Sequence, residues 1–231
     1  MNWTWLPQFA PQLMQGFGVT LEVFLVSVVV GFALAIPLAW AQIRGGLILA
    51  SLAKGFCVVL RATPLLLQLF LFYYGLGSLF ASVPALREAA PWLIRLDAIW
   101  YVLIAFTLNF AAHEAEVLRG ALLGVPRGEI EAADSFGLSH LQVFWRVWLP
   151  SACLRSLAVF ASDVISQFKS TPVIFTVPVI DLMAVTQHVM QDRLLVYEPL
   201  LFIAGVYLLV GFLVLRFFAL LQRRMPKRWL A

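Results

Sequence analysis

The sequence predicts an all-α integral membrane protein with five membrane-spanning helices and one ordered hairpin on the cytoplasmic side. Three observations carry this expectation. Hydrophobic residues make up 62% of the 231 and charged residues only 12%, where a soluble domain carries about 25% charged residues. Mean hydropathy over the whole chain is +0.93, and the excess is spread along it in apolar runs of about 20 residues, each long enough to cross a bilayer. The Lys and Arg residues fall between those runs and mostly on one side, so the basic balance belongs to membrane topology and nucleic acid is not an expected partner.

Residues 1–18 are read as an external segment. Within it Leu6 to Phe17 suits a short interfacial helix, with Trp3 and Trp5 placed for an aromatic belt. The first span is Val19–Ala41; it is too long for a signal peptide and has no basic residue before it, so it is expected to be retained. The second is Ala62–Val83, loosened by Thr63-Pro64, and the third is Ala98–Leu118. The fourth, Ser151–Phe175, holds Asp163, Lys169 and Pro172 and is expected to break near Thr171-Pro172. The fifth is Pro199–Leu221, followed by a basic tail over 223–231. An odd number of spans argues against a duplicated monomer. Cys57 and Cys153 are far apart with no metal-ligand spacing, so free thiols and no metal site are expected.

Orientation follows from the short loops. One side carries Arg44, Lys54, Arg61, Arg119, Arg127, Arg146, Arg155, Arg216, Arg223, Arg224, Lys227 and Arg228, and the other only Arg87, Arg95 and Arg193. That bias places the N-terminus outside and the C-terminus in the cytoplasm.

The longest polar stretch, 119–150, is patterned. Ile130, Ala133 and Phe136-Gly137 recur at helical spacing, opposite Glu131, Asp134 and Ser135, with Arg127 one turn before Glu131. Gly137 ends that helix. Ser139 and Gln142 then form a capping-box pattern, before an apolar face of Leu141, Phe144, Trp145 and Trp148, and Pro150 leads into the fourth span. Pattern alone fits two readings equally: a docking element for another protein, or a hairpin that packs on its own spans.

Glu131-Ala132-Ala133, Gly137 after three residues, and Val147-x-Leu149-Pro150 after nine more resemble the EAA signature (EAA-x3-G-x9-I-x-L-P) of permease subunits in binding-protein-dependent ABC importers. Val147 for Ile is the one departure. Arg61-Ala62-Thr63-Pro64-Leu65-Leu66-Leu67-Gln68-Leu69 resembles the R-G-T-P-L-L-V-Q-L segment of the polar amino-acid branch of that family, Asn109 to Gly120 resembles its N-x-A-A-Y-x-A-E-I-x-R-G segment, and Lys169-Ser170-Thr171-Pro172 resembles its K-D-T-S. The resemblance spans about residues 16–222. It implies the type I ABC importer permease core as the fold, with residues 119–150 as the coupling loop. It also implies transport of polar or charged amino acids or opine-like derivatives across the inner membrane. Glu131, Ala132, Ala133, Gly137, Leu149 and Pro150 would then form the contact with an ATP-binding subunit dimer. A second permease, copy or paralogue, and an external solute-binding protein are the other implied partners, the latter meeting the outer loops Pro84–Asp97 and Asp181–Glu198.

No G-x4-G-K-[ST] phosphate loop is present, so this chain is expected to bind no ATP cofactor and to carry no catalytic residue; hydrolysis falls to the partner. Charged and polar side chains within spans are costly and turn toward a bundle interior or an aqueous path. Asn109, His113, Glu114, Asp163 and Lys169 are candidates for such a path, with Gln68 in the loosened second span. If the fourth span were one straight helix, Asp163 would lie about 20 Å and Lys169 about 28 Å along it from Pro150, past the midplane and near the outer surface. Glu22 is read as snorkelling outward, and Glu116 with Arg119 as a structural pair at i,i+3. Glu114 could meet a cationic substrate group, a partner subunit or a nearby basic side chain. The competing function is an ion-gradient-driven secondary amino-acid transporter, with Asp163 and Glu114 carrying protons; it leaves the EAA hairpin without a purpose. A membrane enzyme is disfavoured by the lack of any clustered His, Asp or Ser with catalytic spacing.

Overall fold

The computed structural model describes residues 3–82 and 96–224, and the described residues hold helices and turns with no strand. Most of the expected outer loop Pro84–Asp97, with Arg87 and Arg95, lies outside them, as do Lys227 and Arg228 of the tail. The helices are α1 (Leu6–Arg44), α2 (Leu47–Ala62), α3 (Leu65–Phe70) running into a π-helical turn Leu71–Leu76, and α4 (Gly77–Ser82). Then come α5 (Ala98–Leu123), α6 (Arg127–Ser135), α7 (His140–Val143) with the π-helical turn Phe144–Trp148, and α8 (Leu149–Arg155). Last are α9 (Leu157–Ser170) with the 3-10 turn Thr171–Thr176, α10 (Leu182–Arg193) and α11 (Tyr197–Arg223). Three helices, α1, α5 and α11, are long and apolar enough to span a membrane; the count reaches five if each of two bent pairs is one span.

The bent pairs revise the expected boundaries. Leu47–Ala62 and Leu65–Leu76 meet at 107°, so the second pair begins at Leu47, not Ala62, and Lys54 and Arg61 sit on its first helix. The residue before a proline is driven to extended backbone, and Thr63 takes φ −106°, ψ 142°. The second bend, 68°, lies at Ser156, between His140–Arg155 and Leu157–Thr176. The break expected at Thr171-Pro172 is there as well, as a change from α to 3-10 helix. The fourth span is therefore not one straight rod, and distances along it from Pro150 overstate the reach to Asp163 and Lys169.

The N-terminal half of α1 also differs from expectation: Leu6 to Phe17 is continuous with the first span, 39 residues in one helix. Trp5 is buried at 2% exposure and packs edge-on against Phe202, in a cluster with Phe9, Leu13, Leu182 and Val189. It is a core residue rather than part of an aromatic belt. Trp3 is exposed and Glu22 is exposed.

α1 lies against α5 at close range. A Cβ at Gly31 would come within 2.9 Å of Phe110 and 3.0 Å of the Thr107 carbonyl, so only glycine lets the two backbones approach this far. α2 joins them through Ala35, Cys57, Ala112 and Ala115, a cluster of small residues. Cys57 and Cys153 are both free thiols.

Asp181–Glu198, expected as an outer loop, contains α10. Asp181 starts it: one carboxylate oxygen accepts from Ala184 N at 2.9 Å, while Oδ2 is buried with no partner. Burial pushes this carboxyl up to about 6, against the backbone N–H bonds that lower it.

Candidate functional site

Two polar regions stand out, the hairpin that precedes the fourth span and the interior face where α5 meets α9.

In the hairpin, α6 begins after Pro126 and stops at Ser135 because Gly137 adopts φ +74°, a left-handed conformation that costs any residue with a Cβ. Ser139 then caps α7. Its side chain accepts from Gln142 N, and Gln142 Oε1 accepts from Ser139 N at 2.9 Å, the reciprocal box the sequence predicts. Of the motif residues, Ala133 and Leu149 are buried, while Glu131, Ala132, Gly137 and Pro150 are exposed. Ala133 and Leu149 thus hold the hairpin to the bundle, and the other four face outward. Phe136, expected on the inward face, is 86% exposed, since it lies beyond the last helical turn. Leu141 and Trp145 are also exposed, whereas Val143, Phe144 and Trp148 are buried; the π-helical turn widens the repeat and breaks the 3.6-residue pattern used to place them.

The buried side of the hairpin is fixed to the spans. Trp148 Nε1 donates to the Leu122 carbonyl at 2.7 Å, Trp40 meets Phe144 with ring centroids 4.3 Å apart, and Arg44 lies over the Trp148 ring at 5.4 Å. Arg127, one turn before Glu131, does not pair with it; among the described residues Glu131 makes no ion pair. Glu129, which sequence reasoning missed, does. Arg155 Nη2 donates to its Oε1 at 2.7 Å, and Ser151 Oγ donates to its Oε2 at 2.8 Å.

In the interior, three of the six path candidates come together. Asn109, His113 and Asp163 line a cleft of about 140 Å³ with Ser166 and Gln167. His113 Nδ1 is 3.0 Å from the Asn109 carbonyl; a carbonyl only accepts, so Nδ1 carries a proton, and in the neutral ring Nε2 is left as an acceptor. Gln167 is held in place, donating to Ser27 Oγ at 3.0 Å and to the Phe106 carbonyl at 3.1 Å. Gln68 does not line the cleft. Its Nε2 lies 2.6 Å from the Leu60 carbonyl and 3.0 Å from the Thr63 carbonyl, and its Oε1 accepts from Asn109 at 3.1 Å. It satisfies carbonyls freed by the bend before Pro64 and ties that bend to α5. Glu114 is fully buried, and neither carboxylate oxygen has a hydrogen-bond partner among the described residues. Lys169 is exposed and outside the cleft. Glu116 and Arg119 form the expected pair at 3.0 Å, with Arg61 at 3.9 Å from the same oxygen.

A family model described as binding-protein-dependent transport system inner membrane component matches residues 27–227. The chain is 32% identical over 210 residues to the octopine transport system permease protein OccM of Rhizobium radiobacter, covering 91% of this chain and 84% of that protein. It is 31% identical over 215 residues to the histidine/lysine/arginine/ornithine transport system permease protein HisM of Escherichia coli (strain K12), covering 93% and 87%. Its fold matches a chain from the crystal structure of an amino acid ABC transporter with histidines, with a TM-score of 0.81 at 23% identity, over 97% of this chain and 99% of that one.

Proposed function

The chain belongs to the binding-protein-dependent transport system inner membrane component family, and on that footing we propose that it moves polar or charged amino acids, or opine-like derivatives, as the permease subunit of an ATP-driven importer. The relatives named for octopine and for histidine, lysine, arginine and ornithine support that solute class. In this reading the chain sits in the inner membrane with its N-terminus outside and its C-terminus in the cytoplasm, in the type I arrangement. Its partners are a second permease copy or paralogue, an ATPase dimer and an external binding protein.

One observation carries the coupling role: the hairpin is bolted to the spans on one face and bare on the other. Glu131, Ala132, Gly137 and Phe136 are exposed together, although Glu131 has Arg127 one turn away on its own helix. A carboxylate left free beside small residues and one apolar ring suits a basic, concave surface on an ATP-binding subunit. Ala132 allows close approach, and Gly137 permits the turn. Hydrolysis belongs to that subunit, since the sequence carries no phosphate loop. Inside the bundle, Asp163 supplies a negative charge and His113 Nε2 an acceptor facing one cleft, which suits an ammonium or guanidinium group on the solute. Gln68 and Asn109 hold the cleft's wall, and Glu114 and Lys169 stand apart from it.

The test is uptake by proteoliposomes holding the chain with its co-purifying ATPase, second permease and binding protein. Arginine, histidine or octopine accumulates only with ATP inside the nucleotide compartment and survives collapse of a proton gradient. Uptake indifferent to ATP and driven by a proton gradient would instead make this a secondary transporter. In the same preparation, Glu131→Ala and Gly137→Val weaken retention of the ATPase while the spans still insert.

A further inference from the structure

The contact between Glu129, Ser151 and Arg155 joins two elements that the chain otherwise connects only through the hairpin. Glu129 lies in the first turn of α6, and Arg155 is the last residue of α8. Each sits at the helix end where its charge is favoured by the helix dipole. The three side chains close a ring: Arg155 Nη2 to Glu129 Oε1 at 2.7 Å, Ser151 Oγ to Glu129 Oε2 at 2.8 Å, and Arg155 Nε to Ser151 Oγ at 3.4 Å. Ser151 is 1% exposed, and the two charged side chains are 29% and 23% exposed. Part-buried, charge-assisted contacts of this kind are stronger than surface pairs.

The position of the ring gives it a role. Immediately after Arg155 comes Ser156, the 68° bend, and α9 beyond it carries Asp163 into the cleft. Tied by the ring, and with Ile130 packed against the cluster that includes Trp148, Leu149 and Ala152, α6 and α8 form one piece that ends where the chain bends. We infer that the Glu129–Ser151–Arg155 ring is a positioning linkage: it carries displacement of α6 onto α8, so that movement imposed at the hairpin turns the chain at Ser156 and shifts Asp163. The inference rests on the importer reading above. It assigns Glu129 and Arg155 to transmission rather than to docking, because their charges meet one another between α6 and α8.

The experiment uses the complete importer in proteoliposomes, with Glu129→Ala, Arg155→Ala, and the exchange pair Glu129→Arg with Arg155→Glu. Three quantities are read: ATPase retained on purification, ATP hydrolysed, and solute moved per ATP. The single variants keep the ATPase bound and hydrolysing, while solute per ATP falls about tenfold, the scale of one charge-assisted contact; the exchange pair regains part of the loss. Unchanged solute per ATP in Glu129→Ala overturns the linkage, as does an exchange pair no better than the single variants. Loss of bound ATPase in step with transport also overturns it, by making the ring a brace for the docking face. If the alanine variants fail to insert, Glu129→Gln decides: it keeps an acceptor for Ser151 but not the charge, and full solute per ATP from it refutes the role of the ion pair. The importer reading fails by a different result, uptake indifferent to ATP and driven by a proton gradient; normal ATPase retention and uptake in Glu131→Ala and Gly137→Val would refute only the docking role of those residues.

Discussion

Glu131 stands exposed on the EAA hairpin without an ion-pair partner, whereas Gln68, buried at the bend between α2 and α3, turns its amide toward Leu60, Thr63 and Asn109 together. The two regions handle polarity in opposite ways. On the hairpin's outer face Glu131 and Arg127, which could have paired with one another, are left outward, while Glu129 pairs with Arg155 on the other side. In the interior most polar groups are already answered by the chain itself: Thr20 bridges Gly16 and Leu182, Gln167 bridges Ser27 and Phe106, and Thr171 meets Tyr207. A polar residue within a span is therefore more often part of the fold's own glue than part of a path. Those that remain open, Asp163 and one nitrogen of His113 at the cleft and the buried Glu114 carboxyl beyond it, are few enough to single out.

The sharpest way to break this comparison is at Gln68. Gln68→Leu keeps the volume but strands the Thr63 carbonyl and leaves the Leu60 carbonyl and the Asn109 amide only their long 3.4 Å contact with one another, and lowers stability by about 3 kcal/mol. A thermal melt in detergent checks it; an unchanged melt would mean that the interior network does not hold the bend. Asp181, at the start of α10, is another buried carboxylate with an oxygen unanswered. Its folded value of about 6 lies above the ordinary 3.8, so the protonated form is favoured by folding. The associated stability is complete below 3.8 and lost as pH rises through 6. Melting therefore climbs on acidification from pH 7 toward 4, by about 2 kcal/mol in stability, and Asp181→Asn, which keeps the helix cap, flattens that difference.

A third variant separates open from spent groups. Asp163→Asn raises the KM for a cationic solute by about tenfold, one lost charged hydrogen bond, while the melt stays within about 0.5 kcal/mol. A melt that falls as it does for Gln68→Leu would place Asp163 with the glue instead. The smallest effect is expected at the hairpin cap. Ser139→Ala removes the capping box and costs about 1 kcal/mol locally, read as faster amide exchange over residues 139–143 with the global melt unchanged.

The sequence displayed what depends on near neighbours. The capping box of Ser139 and Gln142, the turn at Gly137, and the Glu116–Arg119 pair all lie within four residues of one another, and each formed as expected. The permease family itself was legible from the spacing of the EAA motif. What escaped were meetings across distance. Glu129 and Ser151 are 22 residues apart, and Gln68 and Asn109 are 41 apart. No periodicity brings such pairs together; packing does. The 107° turn escaped for a related reason. Thr63-Pro64 marks a break, but not its angle, nor that the amide of Gln68 would bond the Leu60 and Thr63 carbonyls beside it. Phe136 and Trp145 were misplaced because a helical wheel assumes a constant repeat, and the chain departs from it at Gly137 and at Phe144–Trp148.

α1 is a single rod of 39 residues, about 58 Å long at 1.5 Å per residue, against roughly 30 Å of hydrocarbon. Such a rod cannot shorten to suit a thinner bilayer; it can only lean or stand proud of the surface. It is also gripped at two heights, by Asp181 against Gly16 and by Phe110 against Gly31. Any change of lean is thus passed to α10 near one end and to α5, beside the cleft, near the middle. Membrane thickness becomes a mechanical input to this protein, felt through the pitch of its first helix.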